Sequence, residues 1–147
     1  MSELRVETVG AAGVPAMRAA LGEAGLPFED LAEPGLALFA FAQDGAVVGY
    51  GGLEFCGVDA LLRSIVIEPD RRGEGFGRQI VNYLSSNAAS RGVDRIYLLT
   101  ATATAYFEKR GFRLVDRRHA PASIAATRQM AGLCPASASL LSRTIAP

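Results

Sequence analysis

The densest chemistry in the chain sits in one stretch, Ile65-Val-Ile-Glu-Pro-Asp-Arg-Arg-Gly-Glu-Gly-Phe-Gly-Arg78. A β-branched run feeds a basic loop in which Gly73, Gly75 and Gly77 alternate with other residues, and a helical pattern begins among the glycines. Residues without a Cβ let backbone N–H groups approach a ligand closely. At a helix N-terminus those donors lack intrahelical partners, and the macrodipole favours an anion by about 0.3–1 kcal/mol at an exposed site. Arg71, Arg72 and Arg78 would add charge-assisted bonds to phosphate oxygens. The stretch reads as a cradle for a phosphate-bearing ligand. The plainer alternative is a flexible turn with solvated arginines, for which three glycines opening a helix are a costly device. Spacing then removes two familiar cradles. A Walker A loop needs a Lys after its glycines, and none stands there. A dinucleotide fingerprint needs its third glycine where Arg78 stands, and it begins directly after the strand, whereas Pro69 to Arg72 intervene here.

The elements that must hold this loop follow from periodicity and punctuation. Leu4, Val6 and Thr8 alternate with charged neighbours as a short strand, and Val14, Met17, Leu21 and Ala24 recur at helical spacing behind Pro15, with Gly25 as the stop. Residues 36–42 read as a buried strand, and Asp44-Gly45 turns it into a second strand over 46–55. A further turn at 57–59 leads into a strand over 61–67. Phe76, Ile80, Leu84 and Ala88 form a four-residue stripe, which predicts a helix over 75–91 closed by Gly92. Strands are expected over 95–100, 113–115 and 138–144, a short helix over 102–110, and a helix over 124–131. Hairpins followed by β–α–β alternation predict an α/β (α+β) domain, a mixed, mostly antiparallel sheet of six to seven strands flanked by helices.

Composition bounds the rest. A length of 147 residues with half of them apolar suits a single domain, 1–147, able to bury roughly 70% of its extended surface. With 15 acidic and 15 basic side chains the formal charge is zero, which excludes a generally basic nucleic-acid binder. The longest apolar run, 35–42, is far below the roughly 20 residues of a membrane span. The opening Met1-Ser-Glu-Leu-Arg-Val-Glu is polar and carries no signal-peptide pattern. Cys56 and Cys134 are few and far apart, which suits reduced thiols in a cytoplasmic protein. No metal-ligand cluster is apparent in the sequence, so no metal is expected.

Read as R-x-x-G-x-G, Arg72-Gly-Glu-Gly75-Phe-Gly77 behind Ile65-x-Ile67-x-Pro69 resembles the acyl-CoA-binding motif of the Gcn5-related N-acetyltransferase (GNAT) superfamily. About thirty residues on, Ala103-Thr-Ala-Tyr-Phe-Glu-Lys-Arg-Gly-Phe112 is similar to that family's A-x-x-x-Y-E-K-x-G-F segment. The resemblance covers nearly the whole chain. It implies splayed central strands that hold acetyl-CoA as co-substrate, with the pantetheine arm along Ile65, Val66 and Ile67 and the pyrophosphate over the amides of Arg72, Gly73, Glu74, Gly75, Phe76, Gly77 and Arg78. A backbone N–H near Ile65 or Ile67 would polarise the thioester carbonyl. The amine would attack directly, leaving the protein to position it, take one proton and return one to the thiolate.

Two family positions are altered. Phe107 stands where many members carry the tyrosine that protonates the thiolate, and Tyr106 lies one residue, about 100° of helix, earlier. Tyr106 is either that acid or a packed aromatic with a wet hydroxyl, water then serving the thiolate. Thr100 replaces an asparagine beside the pantetheine arm. For the base, Glu54 is the first choice, on the opposite strand face from Leu53 and Phe55; its alternative is a surface carboxylate. His119, between Arg118 and Ala120, is the other candidate or a solvated residue.

Leu61-Leu-Arg-Ser64, Leu98-Leu-Thr-Ala-Thr102 and Leu133-Cys-Pro-Ala-Ser137 further resemble a bacterial subgroup named arsenic-resistance N-acetyltransferases. That implies an amino-bearing small molecule, such as an amino-acid analogue with an arsenic or phosphorus oxyanion. Arg63 would pair with the anion, with Arg117, Arg118 and Arg128 as further candidates and Ser64 either a substrate contact or a strand residue. Cys56 and Cys134 are either arsenic thiols or small core residues. The function expected is acetyl-CoA-dependent N-acetylation of a small amine by a cytoplasmic enzyme, with homodimers through a sheet edge. Acetylation of a protein or peptide amine and a non-catalytic acyl-CoA sensor are the alternatives. Segment 117–135 would cap the site.

Overall fold

Residues 4–145 are described by the structure, a computed structural model; expectations made for residues 1–3 and 146–147 lie outside the described residues. The first strand, β1 (Arg5–Thr8), is followed by α1 (Val14–Glu23), which starts on Pro15 and buries Met17 and Leu21. A meander of β2 (Leu36–Gln43), β3 (Ala46–Cys56) and β4 (Asp59–Ile67) comes next. Then α2 (Phe76–Ser90), β5 (Arg95–Thr100), α3 (Thr104–Glu108), β6 (Arg113–Val115), α4 (Ala122–Ala125) and β7 (Ser139–Thr144) complete the order. The strands form one sheet in the order β1-β2-β3-β4-β5-β7-β6, antiparallel throughout except for the β4–β5 pair. This is the mixed, mostly antiparallel sheet the patterning predicts, with seven strands. Among the described residues no helix is long and apolar enough to cross a membrane.

Both sheet faces are covered. The stripe Phe76, Ile80, Leu84 and Ala88 is buried against Phe41, Val48, Leu53 and Leu62. At Gly51 an added Cβ would lie 2.9 Å from Leu84 Cδ1, so the missing side chain is what lets α2 settle on β3. On the opposite face α1 packs Met17 and Leu21 against Leu38, Tyr50 and Val66, and α4 packs Ile124 against Leu61, Tyr97 and Leu140.

The helix expected over 124–131 is two pieces instead. α4 ends at Ala125, and a π turn follows over Gln129–Leu133. The Thr127 hydroxyl is the cause: it donates to the Ile124 carbonyl at 2.7 Å and accepts from the Met130 N–H at 3.3 Å, substituting side-chain bonds for the helical ladder. The helix expected over 102–110 is likewise shorter, because Thr100 Oγ1 takes the Ala103 N–H at 2.9 Å and holds the preceding residues in a turn.

One irregularity bears on function. Tyr50 pairs with Val66 and Gly52 with Arg63, so Ser64 and Ile65 together oppose Gly51. This is a bulge in β4, and Ser64 sits at φ +59°, a conformation a non-glycine residue seldom adopts.

Candidate active site

β4 and β5 run side by side only over Asp59–Leu61 and Arg95–Tyr97. Past that point they diverge, and a cleft of about 330 Å³ opens between them, walled by Ile65 and Ile67 on one side and Leu98 and Thr100 on the other. The bulge lies at this fork. Where the strands part, the β4 edge facing β5 no longer has a strand to pair with, which leaves backbone donors and acceptors along the cleft. Val66 points the other way, into the core beneath α1.

At the far end β4 passes through a turn at Pro69–Arg71 into the glycine loop. Gly73 and Gly75 sit at φ +82° and +86°, and a Cβ at either would meet open space. Gly75 is the N-cap of α2, and no side chain caps the helix. The first-turn amides of Phe76, Gly77 and Arg78 therefore face outward without helical acceptors. Arg72 and Arg78 are exposed beside them. Arg71 is not free for a ligand: it reaches Gln43 Oε1 at 2.7 Å and Glu74 at 3.2 Å, and its guanidinium covers the Phe76 ring. The Glu74 carboxylate is thereby held by the loop itself.

Tyr106 and Phe107 both line the cleft. Despite the one-residue offset, Tyr106 does not turn away: its hydroxyl lies 2.5 Å from where a Gly77 Cβ would stand, tight against the first turn of α2. Arg110 stacks on its ring at 3.7 Å, and Phe107 bridges Tyr106 to Phe112 through edge contacts.

Beside α2 lies a recess the sequence reading did not find. Arg78, Asn82, Lys109, Arg110 and Arg143 line about 410 Å³ there. Arg143 donates to the Arg110 carbonyl at 2.7 Å and to Ser85 Oγ at 2.6 Å, and burial lowers its pKa. Arg110 Nε is buried and has no hydrogen-bond acceptor among the described residues. These cations come from a helix start, a helix end and the last strand, so no local pattern marks them.

At the fork the Arg63 side chain is fully enclosed. Its guanidinium grips Asp30 in a bidentate pair at 2.5 and 2.6 Å, and Nε donates to Ser64 Oγ at 3.1 Å. Burial would raise the Asp30 pKa, but the bonds and charge of Arg63 outweigh it and hold the carboxyl below its ordinary value. Glu54 lies on the same face, Oε1 3.5 Å from Arg63 Nη1, yet that oxygen is buried and accepts no hydrogen bond among the described residues. Burial raises the Glu54 pKa, with Arg63 opposing and Asp30 adding to the rise. Asp30 is the residue sequence reasoning missed; it stands alone in a loop with no motif around it.

The remaining candidates lie apart from the cleft or are engaged. Arg117 donates to the carbonyls of Ala138 and Met130, Arg118 is clasped by Asp116, and Arg128 pairs with Glu33. The Arg118 hydrogen bonds bring the Asp116 pKa down to about 2. His119 is exposed on a short turn and does not line the cleft. Cys134 does line it, its thiol donating to Gln129 Oε1 at 3.0 Å, and burial raises its pKa. Burial with Glu54 and Asp59 nearby pushes the Cys56 thiol up to about 11. Both cysteines are therefore thiols at neutral pH.

A strand pair that forks over an anion cradle at a helix N-terminus defines a class of α/β fold suited to an extended, phosphate-bearing ligand. The family model described as an acetyltransferase (GNAT) domain matches residues 34–114, and the chain belongs to that family of acyltransferases, which use acyl-CoA. Solved structures with the same fold include N-acetylglutamate synthase from Neisseria gonorrhoeae, complexed with coenzyme A and N-acetyl-glutamate. It is 16% identical with a TM-score of 0.81; all of this chain is covered, but it spans only 36% of the synthase. The ribosomal-protein-S18-alanine N-acetyltransferase of Escherichia coli is 17% identical with a TM-score of 0.74, covering 99% of this chain and 96% of that one. An aminoglycoside 6'-N-acetyltransferase complexed with coenzyme A is 18% identical with a TM-score of 0.70, covering 97% and 98%.

Proposed function

We propose that this acetyltransferase moves an acetyl group from acetyl-CoA directly to the amine of a small molecule. The observation that carries the reading is the continuity of the open β4 edge with the uncapped glycine loop: one extended ligand with an amide-bearing arm and a pyrophosphate matches both. The backbone of Ile65 and Ile67 would hold the arm, and the amides from Arg72 to Arg78 the pyrophosphate. Thr100 and Phe107 would wall the arm. The recess of Arg78, Lys109, Arg110 and Arg143 would hold a further phosphate, giving the Arg110 Nε region an anion it otherwise lacks.

When bound, acetyl-CoA supplies its acetyl group as a thioester. An amide of the β4 edge donates to the thioester carbonyl and stabilises the charge that grows there. Glu54, which does not line the cleft itself, takes the proton of the incoming ammonium through a water; a carboxyl whose pKa is raised by burial is the better base near neutrality. Tyr106, its hydroxyl held against Gly77, returns a proton to the departing sulfur.

The likeness of the 61–64, 98–102 and 133–137 segments to arsenic-resistance enzymes supports a small amino compound as the acceptor, but the oxyanion that likeness implies finds no free guanidinium at Arg63, which Asp30 holds. A cytoplasmic location and homodimers through a sheet edge belong to the same reading. Phe107 at the usual tyrosine position favours the sensor as the second reading. Thiol release from acetyl-CoA across a panel of amines, against a blank without amine, separates them: amine-dependent release establishes transfer, and silence with calorimetric binding intact points to the sensor or to an amine outside the panel. No binding would remove both.

A further inference from the structure

We infer that the acceptor is an apolar primary amine with no carboxylate or oxyanion beside its nitrogen, and that Asp30 sets this preference by occupying Arg63. The inference rests on the acyl-transfer reading and names the substrate class of that same cleft. Among the described residues lining the cleft, Arg63 is the only charged one, and it is the one group there that would welcome an anion. Its side chain is 0% exposed, both terminal nitrogens are on Asp30, and Nε is on Ser64. An anionic group brought to that point would meet two carboxylates, Asp30 and Glu54, around one guanidinium already shared between them. Like charges set side by side in a poorly hydrated site repel strongly.

Among the described residues no second cation lines the cleft. Arg117 is spent on the Ala138 and Met130 carbonyls, Arg118 on Asp116 and Arg128 on Glu33. The wall from the loop after α1 is Ala24, Leu26 and Pro27, which offers hydrocarbon contact and no charged donor. A carboxylate against that wall would lose water without replacement, whereas an alkyl or aryl group gains by burial. A cationic nitrogen is better matched, because the Asp30 and Glu54 carboxylates outnumber the one guanidinium they share. Glu54 Oε1, 3.5 Å from Arg63 Nη1, is buried and does not itself line the cleft, so its charge acts there from behind the wall.

The test uses matched pairs that differ only in the carboxylate: phenethylamine with phenylalanine and tyramine with tyrosine, with phenylalaninamide as a neutral intermediate. Thiol release from acetyl-CoA gives kcat/KM for each. The expected result is a preference of about 100-fold for each amine over its amino acid, with the amide near the amine. In Asp30→Asn, where Arg63 loses the closer of its two anionic partners, the gap narrows at least tenfold through faster turnover of the carboxylated member, and acetyl-CoA affinity stays unchanged. Equal or faster acetylation of the amino acids by the unaltered protein overturns the inference and leaves the transferase intact. That comparison needs no variant, so it stands even where Asp30→Asn fails to fold. Acetyl-CoA binding without thiol release from any of the five compounds overturns this inference, and the wider amine panel then decides the transferase reading separately.

Discussion

The two ends of the cleft are built from different materials. The glycine-loop end is made of backbone: amides of α2, the open edge of β4 and two residues at positive φ, all contributed by one continuous stretch. The Arg63 end is made of side chains that meet only in the folded protein, with Asp30 reaching across 33 positions to Arg63 and Cys134 bonded to Gln129. A backbone cradle serves any ligand with the same phosphate geometry, so it suits the part of a reaction shared by a whole family. A side-chain cluster has fixed charges and can be altered one residue at a time, which suits the part that chooses an acceptor.

Substitutions that strike one end and spare the other sharpen this contrast. The largest effect is expected at Asp30→Asn, which takes from buried Arg63 its closer, bidentate carboxylate and leaves only Glu54 at 3.5 Å, and costs about 3 kcal/mol, read from denaturant unfolding. Because folding lowers the Asp30 pKa, its contribution is present above the ordinary value of 3.8 and is lost as pH falls through the folded value. The variant should lack that acid dependence. Next comes Gly75→Glu, expected to weaken acetyl-CoA binding at least about 100-fold by calorimetry, since an anion and a strained φ replace an anion cradle. Retained affinity would break the assignment of this end to the pyrophosphate.

Glu54→Gln should lower kcat by about 100-fold with acetyl-CoA affinity unchanged. Activity should fall in the unaltered enzyme as pH drops through the raised Glu54 pKa, above 4.5, and the variant should show no such limb. Tyr106→Phe should lower kcat about tenfold without changing KM. Gly77→Ala should do the same by driving a Cβ against the Tyr106 hydroxyl. The smallest effect belongs to Arg118→Ala, whose exposed pair with Asp116 should leave the Tm and both kinetic constants where they are.

The same contrast explains what could be read from the sequence. The stripe Phe76, Ile80, Leu84 and Ala88 and the turn at Asp44-Gly45 are local signals, and the sheet with its helices follows from them. So does the loop, because glycine at positive φ is a requirement of the backbone itself. The break after Ala125 was hidden, since Thr127 bonding back to Ile124 looks like an ordinary helical residue until its hydroxyl is placed. The occupancy of the arginines was hidden too. Arg63, Arg117 and Arg128 are equally cationic on paper, and only their partners reveal that each is already committed. Asp30 and the basic recess carried no spacing to notice.

The brief contact between β4 and β5 has a consequence for how the molecule holds together. β2, β3 and β4 close on one another through tight turns, whereas β1–β2, β5–β7 and β6–β7 pair over longer separations; β1 to β4 make one half of the sheet and β5, β7 and β6 the other. The halves meet along a seam of three paired residues. Contacts of low sequence separation form fastest, so the β2–β4 meander is expected to form before the strands across the seam. Anything lying across the seam acts as its rivet: at a hundred times its Kd, a ligand there adds about 2.7 kcal/mol to the folded state. Amide exchange in β5–β7 should slow as coenzyme A is added, while β2 and β3 change little. The reactant would then also serve as a structural member of the sheet.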